Sequence, residues 1–102
     1  MSEERRMLNK LEVLNFLSEH KQELMERFSV RKIGLFGSFC RDQATEASDI
    51  DILVNLDQPT FDHYLDLKFY LEDNLGRSVD LVLADSVKPR LKPVIAREVV
   101  YA

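Results

Sequence analysis

The sequence predicts a small domain of the α/β (α+β) class, a mixed β-sheet covered by helices. Two stretches carry apolar residues at three- and four-residue steps, the spacing of amphipathic helices. Three shorter apolar runs read as strands, and two of them alternate with period two. In chain order the elements run helix, strand, strand, helix, strand, helix, and this interleaving suggests a single sheet with helices packed on it.

From about Met7 to Phe28, Leu8, Leu11, Leu14 and Leu17, then Leu24, Met25 and Phe28, mark the first helix, with a break expected near Glu19-His20. Val30 to Phe36 reads as a buried strand that ends on the turn residues Gly37-Ser38. The polar stretch from Phe39 to Ser48 has no sustained period and reads as a short helix or turn followed by a surface loop. Asp49 to Leu56 is the second strand. Ile50, Ile52 and Val54 fall on one face and Asp49, Asp51 and Leu53 on the other. Pro59-Thr60 opens a helix over about Phe61 to Leu75, with Gly76 as its stop. Ser78 to Leu83 is the third strand and carries Asp80 on the face opposite Val79, Leu81 and Leu83. In the tail, Leu91, Val94 and Ile95 have helical spacing, and Pro93 places the start or a kink of that helix.

The length of 102 residues, 45% of them hydrophobic, suits one domain over residues 1–102 with one modest core and leaves no room for a second, substrate-binding domain. A chain this small also gains from burial against a partner. The formal charge of −4, from 18 acidic and 14 basic residues, repels a phosphate backbone, so direct nucleic-acid binding is not expected. One cysteine, Cys40, excludes an intramolecular disulfide, and no zinc-ligand spacing occurs. The polar N-terminus lacks the apolar region of a secretory signal, and no apolar run nears the roughly 20 residues that span a bilayer. The expected location is the cytoplasm, with no membrane contact.

Three aspartates in the middle of apolar strands raise a physical question, because a buried, unpaired carboxylate costs several kcal/mol. A divalent cation answers it. Mg²⁺ takes hard oxygen ligands and keeps positions for water or substrate phosphate. Asp49 and Asp51, two apart on a strand, share a face and lie about 6.5–7 Å apart. Gly37-Ser38 adds a phosphate cradle: the glycine lets phosphate approach the backbone, and Ser38 offers a hydroxyl beside N–H groups. Together these elements can bind a nucleoside triphosphate and stabilise in-line attack at one of its phosphorus atoms.

The segment GSFCRDQATEASDID, with ten residues between Gly37-Ser38 and Asp49-Ile50-Asp51, resembles the nucleotidyltransferase pattern of GS followed by DxD. Asp80 falls where that superfamily places a third carboxylate. The short length and the ending LKPVIAREVVYA look like the minimal nucleotidyltransferase (MNT) group, so the likeness covers roughly Val30 to Ala102. The resemblance implies that Asp49, Asp51 and Asp80 hold two Mg²⁺ ions, with Asp80 completing the metal site or taking a proton from the acceptor. Gly37, Ser38 and Arg41 would hold the triphosphate of ATP. It further implies an antitoxin that moves AMP from ATP to a tyrosine hydroxyl of a partner HEPN toxin and releases pyrophosphate. Relatives often have a small residue before this Arg and Gly after it; here the turn reads Cys40-Arg41-Asp42, which bears on the path of the loop.

Each residue also has an ordinary explanation. Alone, Gly37-Ser38 is a common turn and Asp49 a solvated strand start; the spacing together with Asp80 favours the metal site. Arg41 could equally form a surface ion pair. Arg77, Lys88, Arg90 and Lys92 read as solvated charges at helix ends, Cys40 as a packing residue, and His20 and His63 as surface or packing residues. The stripe of Tyr64, Leu67, Tyr70 and Leu71 reads as core rather than interface. A non-catalytic alternative remains beside the enzyme: an antitoxin that binds its partner and occludes it.

Overall fold

The computed structural model describes residues 8–41, 43–45 and 47–102; the start of the first predicted helix at Met7 and the turn residue Asp42 lie outside the described residues. Four strands, β1 (Val30–Phe36), β2 (Ile50–Leu56), β3 (Val79–Leu83) and β4 (Val100–Tyr101), form one sheet in the order β3-β2-β1-β4. β1 pairs antiparallel with β2 and β4, whereas β2 and β3 run parallel and are joined through a helix. The sheet is therefore mixed, as expected. Helices α1 (Lys10–Glu19), α2 (Lys21–Phe28), α3 (Phe61–Leu75) and α4 (Lys92–Glu98), with a short 3-10 helix over Ala84–Ser86, are the other elements among the described residues. Among the described residues no helix is long and apolar enough to cross a membrane.

The first predicted helix divides where expected, with His20 ending α1 and preceding α2. Asn9 starts α1 through a capping box: its side chain accepts the Glu12 N–H at 2.9 Å, and the Glu12 carboxylate accepts the Asn9 N–H at 3.2 Å. The buried stripe keeps its spacing across the break. Val13, Leu17, Leu24 and Phe28 face the core, while Leu11 is 68% and Met25 54% exposed. The predicted stripe was therefore wrong at those two positions: repeated three-residue steps drift off a helical face of about 3.6 residues per turn, which takes Leu11 away from Val13 and Leu17, and Met25 sits one position past buried Leu24.

α3 matches its predicted span; Thr60 caps it by accepting the His63 N–H, and Gly76 ends it at φ 69°. Leu67 and Leu71 are fully buried and Tyr64 and Tyr70 pack against the core, whereas Phe61 and Phe69 are exposed. Both histidines have local roles: His20 stacks on Phe16, and the His63 ring contacts the Gln58 carbonyl.

Strand alternation divides the sheet into two unlike faces. Ile33 and Leu35 of β1, Ile50, Ile52 and Val54 of β2, and Val79 and Leu81 of β3 join Val13, Leu17, Leu24, Phe28, Leu67, Leu71 and Leu75 in one core. Gly34, Leu53, Asp51 and Asp80 occupy register positions on the other face. The tail returns through α4 to β4, an edge strand beside β1 that the sequence pattern did not predict. Gly34 permits the crossing: a Cβ at that position would meet Val99 Cγ2 at 2.8 Å and the Val100 carbonyl at 2.9 Å.

Candidate active site

Three strands deliver the predicted residues to one end of the sheet. Phe36 is opposite Asp51 across the β1–β2 ladder, and Asp51 is opposite Asp80 across the β2–β3 ladder. Gly37, directly after β1, turns the chain at φ +77°. A Cβ on Gly37 would fall on the Asp51 carboxylate, so glycine is required twice over, by the backbone angle and by the approach of the acid. The glycine turn and the second acid of the DxD thus touch, although fourteen positions separate them in the sequence.

The acids are less buried than their apolar neighbours suggested. Asp51 is half-buried, while Asp49 and Asp80 are exposed, because the aliphatic residues beside them point to the opposite face. Partial burial pushes the Asp51 carboxyl up to about 6, helped by the charge of Asp80, a hydrogen bond to the Asp80 carboxyl and the charge of Asp49; Arg41 opposes the shift. Asp51 therefore holds its proton more tightly than a free carboxyl, with the Asp80 carboxyl hydrogen-bonded beside it. Asp49 acts on the pair through its charge. Among the described residues no group of three or more His, Cys, Asp or Glu stands close enough to hold a metal ion as the side chains lie.

The start of β3 is braced from α3. The Glu72 carboxylate accepts the Val79 N–H and the Lys68 ammonium, both at 2.9 Å, and these bonds hold its carboxyl below the usual range. Asp80 is the next residue. On the glycine side, residues 38–41 form a turn rather than a helix, closed by the Arg41 N–H on the Gly37 carbonyl at 3.1 Å and the Gln43 N–H on the Ser38 carbonyl at 2.8 Å. Cys40 is buried, as expected of a packing residue, and its thiol contacts the Glu98 carbonyl at 3.0 Å.

Two charged residues have roles that local sequence patterns did not reveal. Arg77, expected to be solvated, donates from Nη2 to the Thr45 carbonyl at 2.7 Å and the Ser48 carbonyl at 2.6 Å, and its guanidinium lies 5.3 Å from the Phe39 ring centroid. It ties the loop leading into Asp49 to the turn that follows Ser38. Glu98, at the end of α4, accepts the Gly37 N–H at 3.0 Å and receives Arg41 Nη1 on both carboxylate oxygens at 3.1 Å. Lys88, Arg90 and Lys92 are exposed, as expected. Cavity size does not mark this site. Hollows of about 430 and 480 Å³ lie around Met25, Val30 and Arg31, at the end of β1 away from Gly37.

Comparison with known proteins bears on this arrangement. The family model of the nucleotidyltransferase domain matches residues 17–102. The protein adenylyltransferase MntA of Thermococcus cleftensis is 47% identical over 96 residues, which cover 93% of this chain and 97% of that protein. A solved structure provisionally named a minimal nucleotidyltransferase superposes with a TM-score of 0.78 at 32% identity, covering 94% of this chain and 98% of its own. At 22% identity and a TM-score of 0.64, the fold is also shared with a complex of a tri-AMPylated Shewanella oneidensis HEPN toxin and an MNT antitoxin; the match covers 90% of this chain and 70% of that one.

Proposed function

The chain belongs to the nucleotidyltransferase domain family, with an MntA protein adenylyltransferase among its relatives, and from that premise we propose that it is an antitoxin that adenylylates a partner HEPN toxin. The donor is ATP and the acceptor a toxin tyrosine. The tyrosine oxygen forms a bond to the α-phosphorus, the bond from that phosphorus to the bridging oxygen breaks, and pyrophosphate leaves. The phenolic proton passes to a carboxylate, for which Asp80 is the assigned residue. The domain proposed for this chemistry spans residues 1–102, and the reaction is assigned to the cytoplasm.

One observation carries the reading: the Gly37 turn rests on the carboxylate that pairs with Asp80, so a phosphate-binding backbone and two acids meet at one point. Asp51 and Asp80 form a site short of positive charge, with Arg41 as the cation acting on it, and this suits a hard divalent ion. Asp51 and Asp80 would hold Mg²⁺ with Asp49, whose side chain would have to turn toward the pair, two ions in all. When bound, the metal withdraws charge from the transferred phosphoryl group and from the leaving oxygen. The Gly37 turn lets the triphosphate approach the backbone, Ser38 receives it through its hydroxyl, and Arg41 neutralises part of its charge. The relative in complex with a HEPN toxin supports the choice of partner.

Incubation with labelled ATP, Mg²⁺ and the cognate HEPN protein should transfer label to that protein and stop when the acceptor tyrosine is Phe. Absence of transfer with folded partners would remove the enzymatic reading. The competing account, neutralisation by occlusion, predicts that a folded variant carrying Asp49→Asn and Asp51→Asn protects cells as well as wild type.

A further inference from the structure

Glu98 places a carboxylate against two groups of the turn proposed to receive a triphosphate, the Gly37 N–H and the Arg41 guanidinium. Two explanations compete. Either the carboxylate occupies the anion site and ATP must displace it, or it lies beside that site and fixes the residues that line it.

The β1–β4 register decides between them. Gly34 pairs with Tyr101 and Leu35 with Val100, so the same ladder continued would set Gly37 against Glu98. β4 begins at Val100, and the Glu98 side chain supplies the acceptor that a strand carbonyl would otherwise give to Gly37. The carboxylate therefore sits at the edge of the sheet beyond β1. Asp51 lies across the opposite ladder, between β1 and β2. Glu98 does not stand where a triphosphate would reach the acids.

Arg41 bridges the two sides. Nη1 is held by both Glu98 oxygens and Nε by Gln43 Oε1 at 3.1 Å, while Nη2 has no hydrogen-bond partner among the described residues. A guanidinium fixed at two of its three nitrogens retains one direction in which to donate. Glu98 is itself anchored, since its carbonyl receives the Cys40 thiol and it ends α4 with only Val99 between it and β4.

We propose that Glu98 is a positioning residue that aims Arg41 at the triphosphate of ATP and holds the Gly37 turn, so that the C-terminal segment completes the nucleotide site. The inference rests on the assignment of Gly37 and Arg41 to phosphate binding.

The test compares Glu98→Ala, Glu98→Gln, Arg41→Ala and the Glu98→Ala/Arg41→Ala pair in the full chain with its partner. It measures KM and kcat for ATP in the transfer reaction, and Kd for AMP-PNP by calorimetry with Mg²⁺. Glu98→Ala should raise KM and Kd about tenfold and change kcat less than about threefold, because the interaction is made equally in the ground and transition states. Glu98→Gln, which can still accept from Gly37, should fall between the two. The double variant should bind no more than about twofold worse than Arg41→Ala, since Glu98 acts mainly through Arg41 and its hold on the Gly37 turn adds only the remainder. Tighter nucleotide binding in Glu98→Ala would overturn the proposal in favour of competition for the anion site. Full additivity with Arg41→Ala would overturn it in favour of a structural role. Wild-type protein that binds AMP-PNP without transferring AMP would refute the enzymatic reading and leave the Glu98 result readable from Kd alone.

Discussion

The two faces of β2 make opposite contributions although their residues alternate along one strand. Ile50, Ile52 and Val54 are fully buried beneath the helices, each a single position from Asp49, Asp51 or Leu53 on the other side. The first set gains stability by leaving water. In the second, buried Leu53 apart, Asp49 and Asp51 gather negative charge that costs stability, in keeping with the raised Asp51 carboxyl. The difference teaches that in a domain this small the scaffold and the chemistry share a strand, so neighbouring substitutions should fail in unlike ways.

The sharpest break is Asp51→Asn. If the acid face serves chemistry alone, AMP transfer should fall by roughly 10²–10³ or more, the scale of removing one preorganised charged group from a transition state. The same protein should stay folded and, with metal chelated, melt no lower than wild type at pH 7. Transfer assays paired with thermal melts would show both effects; a variant that lost activity by unfolding would erase the distinction between the faces.

One residue farther along, Ile52→Ala should do the reverse. Removing a fully buried branched side chain costs about 2–5 kcal/mol, a large part of the stability of a domain of this size. Urea unfolding should reveal the loss. Activity per folded molecule, measured where the variant is still native, should stay close to wild type.

Arg77→Ala tests the joint between the two regions and should have a smaller effect. It removes two hydrogen bonds to the carbonyls of Thr45 and Ser48 and a contact with Phe39, at a cost of about 1–2 kcal/mol. Because that loop leads into Asp49, hydrogen exchange there should rise more than in β2, and transfer should slow with less change in nucleotide affinity.

How much of this was legible in the sequence follows from the range of each interaction. β1 and α3 have the spans that local patterns predicted, since turn residues and caps bound each of them. The alternation of β2 placed Asp49 and Asp51 on a face away from the core without reference to any other strand. β4 was missed because two residues carry no measurable period; Val100 and Tyr101 become a strand only by pairing with Leu35 and Gly34. Glu98 and Arg77 were missed for the same reason. Their partners lie 57 to 61 and 29 to 32 positions away, and a lone charge near a helix end looks solvated until the fold closes. The extent of burial was also misjudged: the aliphatic neighbours of the acids describe the opposite face, which leaves Asp49 and Asp80 exposed.

The smallest expected effect probes the acid face through its protons. Asp51 has its folded carboxyl raised from the usual 3.8 to about 6, so the native state holds this proton more tightly than the unfolded chain. Below about pH 4 both states are protonated and the carboxylate costs nothing. Between about pH 4 and 6 the unfolded chain releases its proton first, and stability must fall as pH rises; above about 6 both states are ionised and this contribution levels off. With partial exposure and solvent screening, a decline of about 1–2 kcal/mol is expected in protein treated with chelator. Asp51→Asn should flatten that part of the profile. Saturating Mg²⁺ should flatten or invert it, because an ion held by Asp51 and Asp80 keeps the Asp51 carboxylate ionised in the native state and replaces its proton. Urea titrations across this window, with and without Mg²⁺, would check both effects. An unchanged slope on adding Mg²⁺ would mean that the acid face holds a proton where the proposed reaction requires a metal.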